Sequence, residues 1–200
     1  MIAIVDYGAG NIFSVKNALD FLDIENKLTA DAKDLENADR IILPGVGAFP
    51  WAMKKLNESG LVPTIKEQAK IKPFLGICLG MQLIFDKGYE FEETDGLGLI
   101  KGSVEKIERE ELSVPHMGWN SLVYNKECPI LKGIPEGEYV YFVHSYAAKC
   151  DDDSIAAYCD YGGKVTALVY DGKYVIGTQF HPEKSGKAGL KMLKNFSELV

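Results

Sequence analysis

The sequence predicts an α/β fold: a mostly parallel central sheet with helices on both faces, followed by an antiparallel strand extension. In the first half of the chain, short apolar runs alternate with amphipathic helical patterns, as in a parallel sheet. The second half is a series of strand-like segments separated by turn dipeptides, which is typical of antiparallel pairing. No linker, repeat or low-complexity tract interrupts the 200 residues, so we expect a single domain over residues 1–200.

The first-half strands are apolar on both faces, as strands inside a parallel sheet are. They are IAIVDYG at 2–8, RIILPG at 40–45 and PFLGIC at 73–78. Helical periodicity predicts the segments that follow these strands. The helices are expected at Asn11–Leu22, Phe49–Leu56, Leu61–Lys70 and Met81–Lys87, with Gly88 as a stop after the last of them.

The second-half segments have the composition of strands bounded by turns. They are GLIKGSVEKIE at 98–108, WNSLVY at 119–124, EYVYFVHSYA at 138–147, SIAAYCDYGG at 154–163, VTALVYDGK at 165–173 and YVIGTQFHPE at 174–183. The dipeptide Asp171-Gly172 is a strong hairpin signal between the last two segments. A closing helix is expected at Lys187–Leu199, with Leu190, Leu193 and Phe196 facing inward.

Composition excludes some classes of function. The formal net charge is −7, which argues against a nucleic-acid binder or an anionic-membrane binder. The N-terminus lacks the pattern of a signal peptide, and no apolar run approaches the roughly 20 residues that span a bilayer. We therefore expect a cytoplasmic protein. The cysteines, Cys78, Cys128, Cys150 and Cys159, form no CxxC pair, which predicts reduced thiols and no metal site.

Cys78 lies in GICLG at 76–80, at the end of an apolar strand and the start of a helical pattern. A G-x-nucleophile-x-G sequence is typical of a sharp strand-to-helix turn in which the central side chain projects beyond the carboxyl edge of the sheet. A helix N-terminus also favours a thiolate. The competing interpretation is a small buried cysteine, which is common in protein cores. The other three cysteines have no such context and are expected to be buried structural residues.

His181 and Glu183 lie in QFHPE, directly after the strand YVIGTQF. A thiol nucleophile requires a base, and the base requires an acceptor that orients it. If YVIGTQF is parallel to FLGIC, His181 emerges at the same sheet edge as Cys78. Taken alone, HPE could equally be a polar loop after a strand.

The PGVG loop at 44–47 follows the strand RIIL. Backbone N–H groups of such a loop, together with that of Leu79, can stabilise a developing oxyanion. A plain turn between strand and helix is the alternative. GAGN at 8–11 is not GxGxxG, so it does not indicate a dinucleotide site.

These motifs resemble the class I (triad) glutamine amidotransferases and, within them, the glutaminase subunits of imidazole glycerol phosphate synthases. The class resemblance rests on GICLGMQ at 76–82 and HPE at 181–183. The narrower resemblance rests on DYGAGN at 6–11, PGVGAF at 44–49, PHMGWN at 115–120, HSY at 144–146 and QFHPEKS at 179–185. They occur in family order and cover essentially the whole chain.

The resemblance implies a Cys–His–Glu triad that hydrolyses glutamine through a thioester, on the fold of this class and without a cofactor. It implies that Cys78 attacks the side-chain amide, that His181 moves protons and that Glu183 orients His181. The remaining roles are assigned by position in the motifs. Val46 and Leu79 would form the oxyanion hole, and Gly45, Gln82, Ser145 and Tyr146 would bind glutamine.

The resemblance also implies a partner, a (β/α)8-barrel synthase subunit that receives ammonia through the interface of a heterodimer. There ammonia would join a phosphoribosyl intermediate to give imidazole glycerol phosphate and AICAR. The residues expected at this interface are Asn11, His116, Met117, Trp119 and Asn120. Trp and Met are enriched in interface cores, although both could also be core residues of a strand.

Three alternatives remain open on sequence grounds. The chain could serve another synthase, such as that of anthranilate, aminodeoxychorismate or pyridoxal phosphate, although PHMGWN argues against this. It could be a stand-alone cysteine hydrolase or peptidase, active without a partner. A binding module without activity is disfavoured because Cys78, His181 and Glu183 are all present.

Overall fold

The structure is a computed structural model that describes residues 1–8, 12–108 and 112–200. Strands and helices are numbered in chain order. The strands of the first half are β1 Ile2–Val5, β2 Asn26–Thr29, β3 Arg40–Gly45, β4 Phe74–Cys78, β5 Lys87–Gly88 and β6 Thr94–Asp95. Those of the second half are β7 Ser103–Lys106, β8 His116–Ser121, β9 Val123–Tyr124, β10 Tyr139–His144, β11 Tyr146–Lys149, β12 Ile155–Asp160, β13 Lys164–Tyr170 and β14 Val175–Thr178. The helices are α1 Ile12–Phe21, α2 Ala32–Asn37, α3 Phe49–Glu58, α4 Val62–Gln68, α5 Leu79–Leu83 and α6 Gly186–Ser197.

The central sheet contains eight strands within the described ranges, in the order β2-β1-β3-β4-β14-β13-β12-β9. The first five of these are mutually parallel. The last three continue the sheet by antiparallel pairing. The predicted fold class is therefore confirmed, and the expected hairpin is the antiparallel pair β13–β14.

Apolar side chains on both faces of the parallel strands create two cores. Ile2 and Ile4 of β1 belong to the core that contains apolar residues of α1 and α6. Ala3 and Val5 point to the opposite face and belong to the core beneath α2, α3, α4 and α5. Burial on both faces explains why this strand does not alternate between apolar and polar residues.

The described residues also form two smaller sheets. One is the antiparallel pair β8–β10, and the other has the order β11-β7-β5-β6. The chain passes from the first small sheet to the second at Ser145, which lies between β10 and β11. In the described residues, no helix has the length and apolarity needed to cross a membrane.

Several predicted boundaries are wrong, and three strands or α-helices of the described residues lie outside every predicted segment. The helix expected at Met81–Lys87 is α5, which ends at Leu83, while Lys87 and Gly88 form β5. The carbonyl groups that would continue this helix accept other bonds: Leu97 N–H donates to Leu83 O at 2.8 Å, and Gly98 N–H donates to Phe85 O at 3.0 Å. The additional elements are β2, α2 and β6.

Candidate active site

Cys78 is the last residue of β4, and its backbone is strained, with φ 55° and ψ −111°. Few non-glycine residues adopt a positive φ, and such strain is concentrated at functional sites. The two flanking glycines are required by space. A Cβ on Gly76 would lie 2.7 Å from the Gly80 carbonyl oxygen, and a Cβ on Gly80 would lie 1.9 Å from the Leu43 carbonyl oxygen. The strand therefore turns sharply into α5, as predicted.

His181 follows β14, which pairs in parallel with β4, so both side chains lie at the same edge of the sheet. The Nδ1 atom of His181 is 2.8 Å from Oε1 of Glu183, and both side chains are buried. The second oxygen of Glu183, Oε2, has no hydrogen-bond partner among the described residues. Because the carboxylate accepts at Nδ1, it fixes the tautomer that leaves Nε2 free for proton transfer.

The environment of His181 favours its charged form. Burial acts to lower the pKa of His181, but the interactions with Cys78 and Glu183 outweigh it and raise this pKa to about 9. The Cys78 thiol itself lies 4.0 Å from the Val143 carbonyl oxygen, and Nε2 of His181 has no hydrogen-bond partner in the described part of the chain. A thiolate next to an imidazolium is the state that nucleophilic attack requires.

The loop that carries His181 is tied to β10. The backbone N–H of His181 donates to the Tyr141 carbonyl oxygen at 3.0 Å. Ser185 Oγ donates to the His181 carbonyl oxygen at 2.6 Å and accepts from the Tyr141 N–H at 3.0 Å. The position of the histidine therefore depends on β10 as well as on β14.

A cleft of about 330 Å³ opens above the triad. Its lining residues are Val46, Gly47, Cys78, Leu79, Gln82, Glu90, Pro115, Val143, His144, Ser145, Tyr146 and His181. The structure thus brings together Cys78, His181, Val46, Leu79, Gln82, Ser145 and Tyr146, all of which the sequence marks as site residues. Gly45 is not a lining residue. It is buried, a Cβ there would be 2.9 Å from the Tyr7 hydroxyl oxygen, and its contact with substrate stays a prediction.

Glu90 is a cleft residue that sequence reasoning missed, because it lies in an acidic stretch without a recognisable motif. Its Oε2 accepts a hydrogen bond from the backbone N–H of Phe49, at the start of α3, at 2.8 Å. Burial, with a smaller contribution from the charge of Glu90, raises the pKa of Tyr146. This places a carboxylate close to the residues expected to hold glutamine.

A buried pair of histidines adjoins the cleft, and one of them, His144, is a lining residue. Nδ1 of His144 is 2.8 Å from the Tyr146 carbonyl oxygen, and Nε2 of His144 is 3.1 Å from Nδ1 of His116. The His116 ring is stacked between Phe142 and Tyr161, with ring centroids 4.7 and 3.9 Å away. Burial lowers the pKa of both histidines to about 4, so both are neutral at neutral pH.

The predicted interface residues divide between the two faces of β8. Met117 and Trp119 are exposed, at 62% and 54%, on the outer face. His116 is buried on the inner face, because side chains alternate along a strand, and its contact with a partner stays a prediction. Asn120 is half-buried and donates to the Asp160 carbonyl oxygen at 2.9 Å. Asn11 lies outside the described residues.

The other cysteines are poor nucleophiles. Burial raises the pKa of Cys128 and of Cys159 to about 12. Burial and the neighbouring aspartates raise the pKa of Cys150 to about 11. All four cysteines are free thiols.

The low pKa of the two histidines predicts that the folded chain loses stability in acid. Because His116 and His144 have a pKa of about 4 in the fold and about 6.5 when unfolded, the unfolded chain binds more protons in that interval. The contribution of these two histidines to the free energy of unfolding is therefore fully present above pH 6.5. It falls as the pH drops towards 4, by up to about 1.4 kcal/mol per pH unit for each histidine. Urea unfolding between pH 7 and pH 4.5 measures this slope.

The variant His144→Gln separates the histidines from the carboxylates that also titrate in acid. We expect the variant to have a lower free energy of unfolding at pH 7. Its free energy of unfolding should also fall less steeply on acidification, because close to one proton fewer is taken up on unfolding. An unchanged slope would contradict the assignment. His181 acts in the opposite sense: its raised pKa contributes stability below pH 6.5 that is lost as the pH rises through about 9.

Comparison with known proteins agrees with this geometry. The model of the family "Glutamine amidotransferase class-I" matches residues 3–199. The chain is 50% identical over 202 residues to the imidazole glycerol phosphate synthase subunit HisH of Listeria monocytogenes serotype 4a (strain HCC23), covering 100% of this chain and 96% of that protein. It is 49% identical over 201 residues to the protein of the same name from Bacillus cereus (strain ATCC 14579), covering 100% of this chain and 95% of that protein.

Solved structures share the fold. A crystal structure of a glutamine amidotransferase superposes with a TM-score of 0.75 at 21% identity, covering 98% of this chain and 99% of that one. The structure of PurLQS from Thermotoga maritima gives a TM-score of 0.75 at 21% identity, covering 98% of this chain and 96% of that one. At this level of identity, the likeness concerns the fold alone. With a family match over nearly the whole chain and half of its residues shared with HisH proteins, the chain belongs to the class I glutamine amidotransferases, in the HisH branch.

Proposed function

We propose that the chain is the glutaminase subunit of an imidazole glycerol phosphate synthase, acting as one domain over residues 1–200. The observation that carries the proposal is the 50% identity over the full chain with a protein of that name, combined with a Cys–His–Glu arrangement at the base of a cleft. The reaction is hydrolysis of glutamine to glutamate and ammonia.

The geometry supports a two-step mechanism. Cys78 attacks the side-chain amide carbon of glutamine, and His181 accepts the thiol proton. The C–N bond then breaks, His181 returns a proton to the leaving nitrogen, and a γ-glutamyl thioester remains on Cys78. Water, activated by His181, attacks the thioester, releases glutamate and restores the thiol. Glu183 keeps His181 in the tautomer that serves both steps.

Binding roles follow from the chemistry of the cleft walls. We assign the oxyanion to the backbone N–H groups of Val46 and Leu79, two residues that line the cleft together with Cys78. The carboxylate of Glu90 is complementary to the α-ammonium group of glutamine. Gln82, Ser145 and Tyr146 supply further polar groups at the walls. No step requires a metal or an organic cofactor.

The proposed partner is a (β/α)8-barrel synthase subunit that takes up the ammonia within a cytoplasmic heterodimer. Support comes from the apolar face of β8–β10, formed by Met117, Trp119 and Tyr139, which are all more than half exposed. Only strand β10 separates this face from the triad. Trp119 packs edge-on against Tyr141 of β10, and the Tyr141 carbonyl oxygen accepts from the backbone N–H of His181. A partner seated there would bear directly on the histidine loop.

The test measures glutamate release by the chain alone, with the barrel synthase partner, and with both this partner and its nucleotide ligand. We propose that the partner and its ligand align the Val46 N–H of the PGVG loop as the second oxyanion donor. We therefore expect low activity alone and a rise of about 100-fold with both, the size of effect that one oxyanion donor has. The two chains should co-elute at micromolar concentration. Full activity without a partner would instead indicate a stand-alone hydrolase, and absence of a complex would favour an amidotransferase of another synthase.

A further inference from the structure

Gln179 has no role in the mechanism above, yet it is fully buried directly beside the nucleophile. It follows β14 and precedes the histidine loop by two positions, and its side chain is 0% exposed. Its Nε2 is 3.9 Å from Cys78 Sγ, and its Oε1 is 3.0 Å from Nε2 of Gln82. It therefore bridges the thiol and a cleft residue.

The orientation of this amide follows from a single backbone carbonyl. The Tyr146 oxygen can only accept hydrogen bonds, so the Gln82 atom that lies 3.0 Å from it is the NH2 group. The same NH2 group faces Gln179, so the Gln179 atom facing it is the carbonyl oxygen. The remaining amide atom of Gln179, which faces sulfur, is then the N–H donor.

The other side of that carbonyl is held by the histidine pair. The Tyr146 oxygen accepts from Nδ1–H of His144, so Nε2 of the neutral His144 is an acceptor and receives Nδ1–H of His116. Both acceptor positions of the carbonyl are therefore used, one by His144 and one by Gln82. A charged His144 would carry a second N–H at Nε2, aimed at the Nδ1–H of His116, so the neutral state of the pair is the one that keeps both hydrogen bonds.

We propose that Gln179 stabilises the thiolate of Cys78 by donating an amide N–H to sulfur, with its direction set by the Gln82–Tyr146–His144 hydrogen-bond chain. The titratable groups that also face the thiol are His181, which is cationic when the thiolate forms, and the Tyr7 hydroxyl. The Val143 carbonyl oxygen, 4.0 Å away, accepts from the neutral thiol. Tyr7 stays neutral, since burial and the neighbouring Cys78 raise its pKa, and its hydroxyl donates to the Pro44 carbonyl oxygen at 3.1 Å. Glu183 acts on the thiol through His181, and His144 is neutral. Hydrogen bonds to ionised acceptors are about twice as strong as neutral ones, so the bond strengthens when the thiol ionises.

The inference deepens the proposed function and rests on Cys78 as its nucleophile, but its test needs neither glutamine nor a partner. The rate of Cys78 alkylation by iodoacetamide is measured on the full chain from pH 5 to pH 10, with the modified residue identified by peptide mass spectrometry. Gln179→Met keeps the length of the side chain and removes the donor. We expect its alkylation rate at pH 7 to fall about tenfold, and the pH of half-maximal rate to rise by about one unit, as for loss of one charge-assisted bond.

Gln179→Glu is the second variant. Its ionised carboxylate is an acceptor where Gln179 has a donor, and it keeps the proposal testable if Gln179→Met does not fold. It should show a shift in the same direction. Asn195→Leu is the matched control: Asn195 is also a buried amide, but it donates to the Ile130 and Lys132 carbonyl oxygens. The dependence of its alkylation rate on pH should equal that of the chain without substitutions.

Folding of each variant is verified by a cooperative thermal transition. Profiles of the Gln179 variants that coincide with the control would overturn the proposal. If the Gln179 variants shift the alkylation profile but the chain fails the partner assay, the role of Gln179 stands and the assignment to imidazole glycerol phosphate synthase is wrong.

Discussion

The variant Cys78→Ala is expected to release glutamate at less than about a thousandth of the normal rate, because loss of a covalent nucleophile costs several orders of magnitude. Alanine cannot form the thioester, and water alone in the cleft cannot replace it. Glutamate release is measured with the barrel partner present, so that activation is not the limiting factor. Complex formation should persist, since Cys78 lies at 6% exposure within the site and not on the apolar face of β8–β10.

Cys159→Ala is the control for this experiment. It makes the same chemical change at a fully buried cysteine of β12 and should leave the glutaminase rate nearly unchanged. If Cys78→Ala kept more than about a thousandth of the activity, Cys78 would not be the nucleophile, whatever the relatives do.

The variant Gly80→Ala is expected to lower the free energy of unfolding by more than about 4 kcal/mol, which is exceptional for one methyl group. The new Cβ would lie 1.9 Å from the Leu43 carbonyl oxygen and 2.8 Å from the Leu43 carbonyl carbon. Both are backbone atoms inside the sheet, so no side-chain rotation can relieve the clash. Either α5 moves away from β3 or the chain fails to fold, since total stability is only about 5–15 kcal/mol.

Gly60→Ala is the control because a Cβ there has nothing within 4 Å. Its φ of +73° makes alanine unfavourable by about 1–2 kcal/mol through backbone strain alone. Urea unfolding of both variants separates the two effects. A Gly80→Ala loss no larger than that of Gly60→Ala would mean that the strand-to-helix turn tolerates a displacement of α5.

The triad could be predicted because each member lies in a short motif, and because parallel pairing of β14 with β4 brings both motifs to one edge. Glu90 lies outside every motif named above, and the motifs that contain Gln179 and His144 do not show which groups these two side chains contact. Their functions depend on which backbone carbonyl or sulfur atom they meet, and that is decided by contacts between segments far apart in sequence. The buried position of His116 could have been read from strand alternation, since Met117 and Trp119 face outward.

The missed elements have physical reasons as well. β2 is a half-exposed edge strand of four residues, NKLT, which carries little apolar signal. α2 has six residues, and its clearest sign is the N-cap Asp31, whose side chain accepts from the Lys33 N–H. α5 ended earlier than its apolar period indicated because residues 96–100 supply the N–H donors that its last carbonyls accept, so tertiary contacts outweighed local propensity.

The pairing of β14 with β4 also bears on how the molecule folds. Val175 pairs with Phe74 and Thr178 pairs with Ile77, each across a separation of 101 positions. Closing so long a loop is slow compared with forming local helices and neighbouring strands. Before that closure, Cys78 of β4 has no histidine beside it, and β13, β12 and β9 cannot join the central sheet because they are attached to it through β14. After dilution from denaturant, the return of a fast-reacting thiol at Cys78 therefore times the docking of the second half of the chain onto the first.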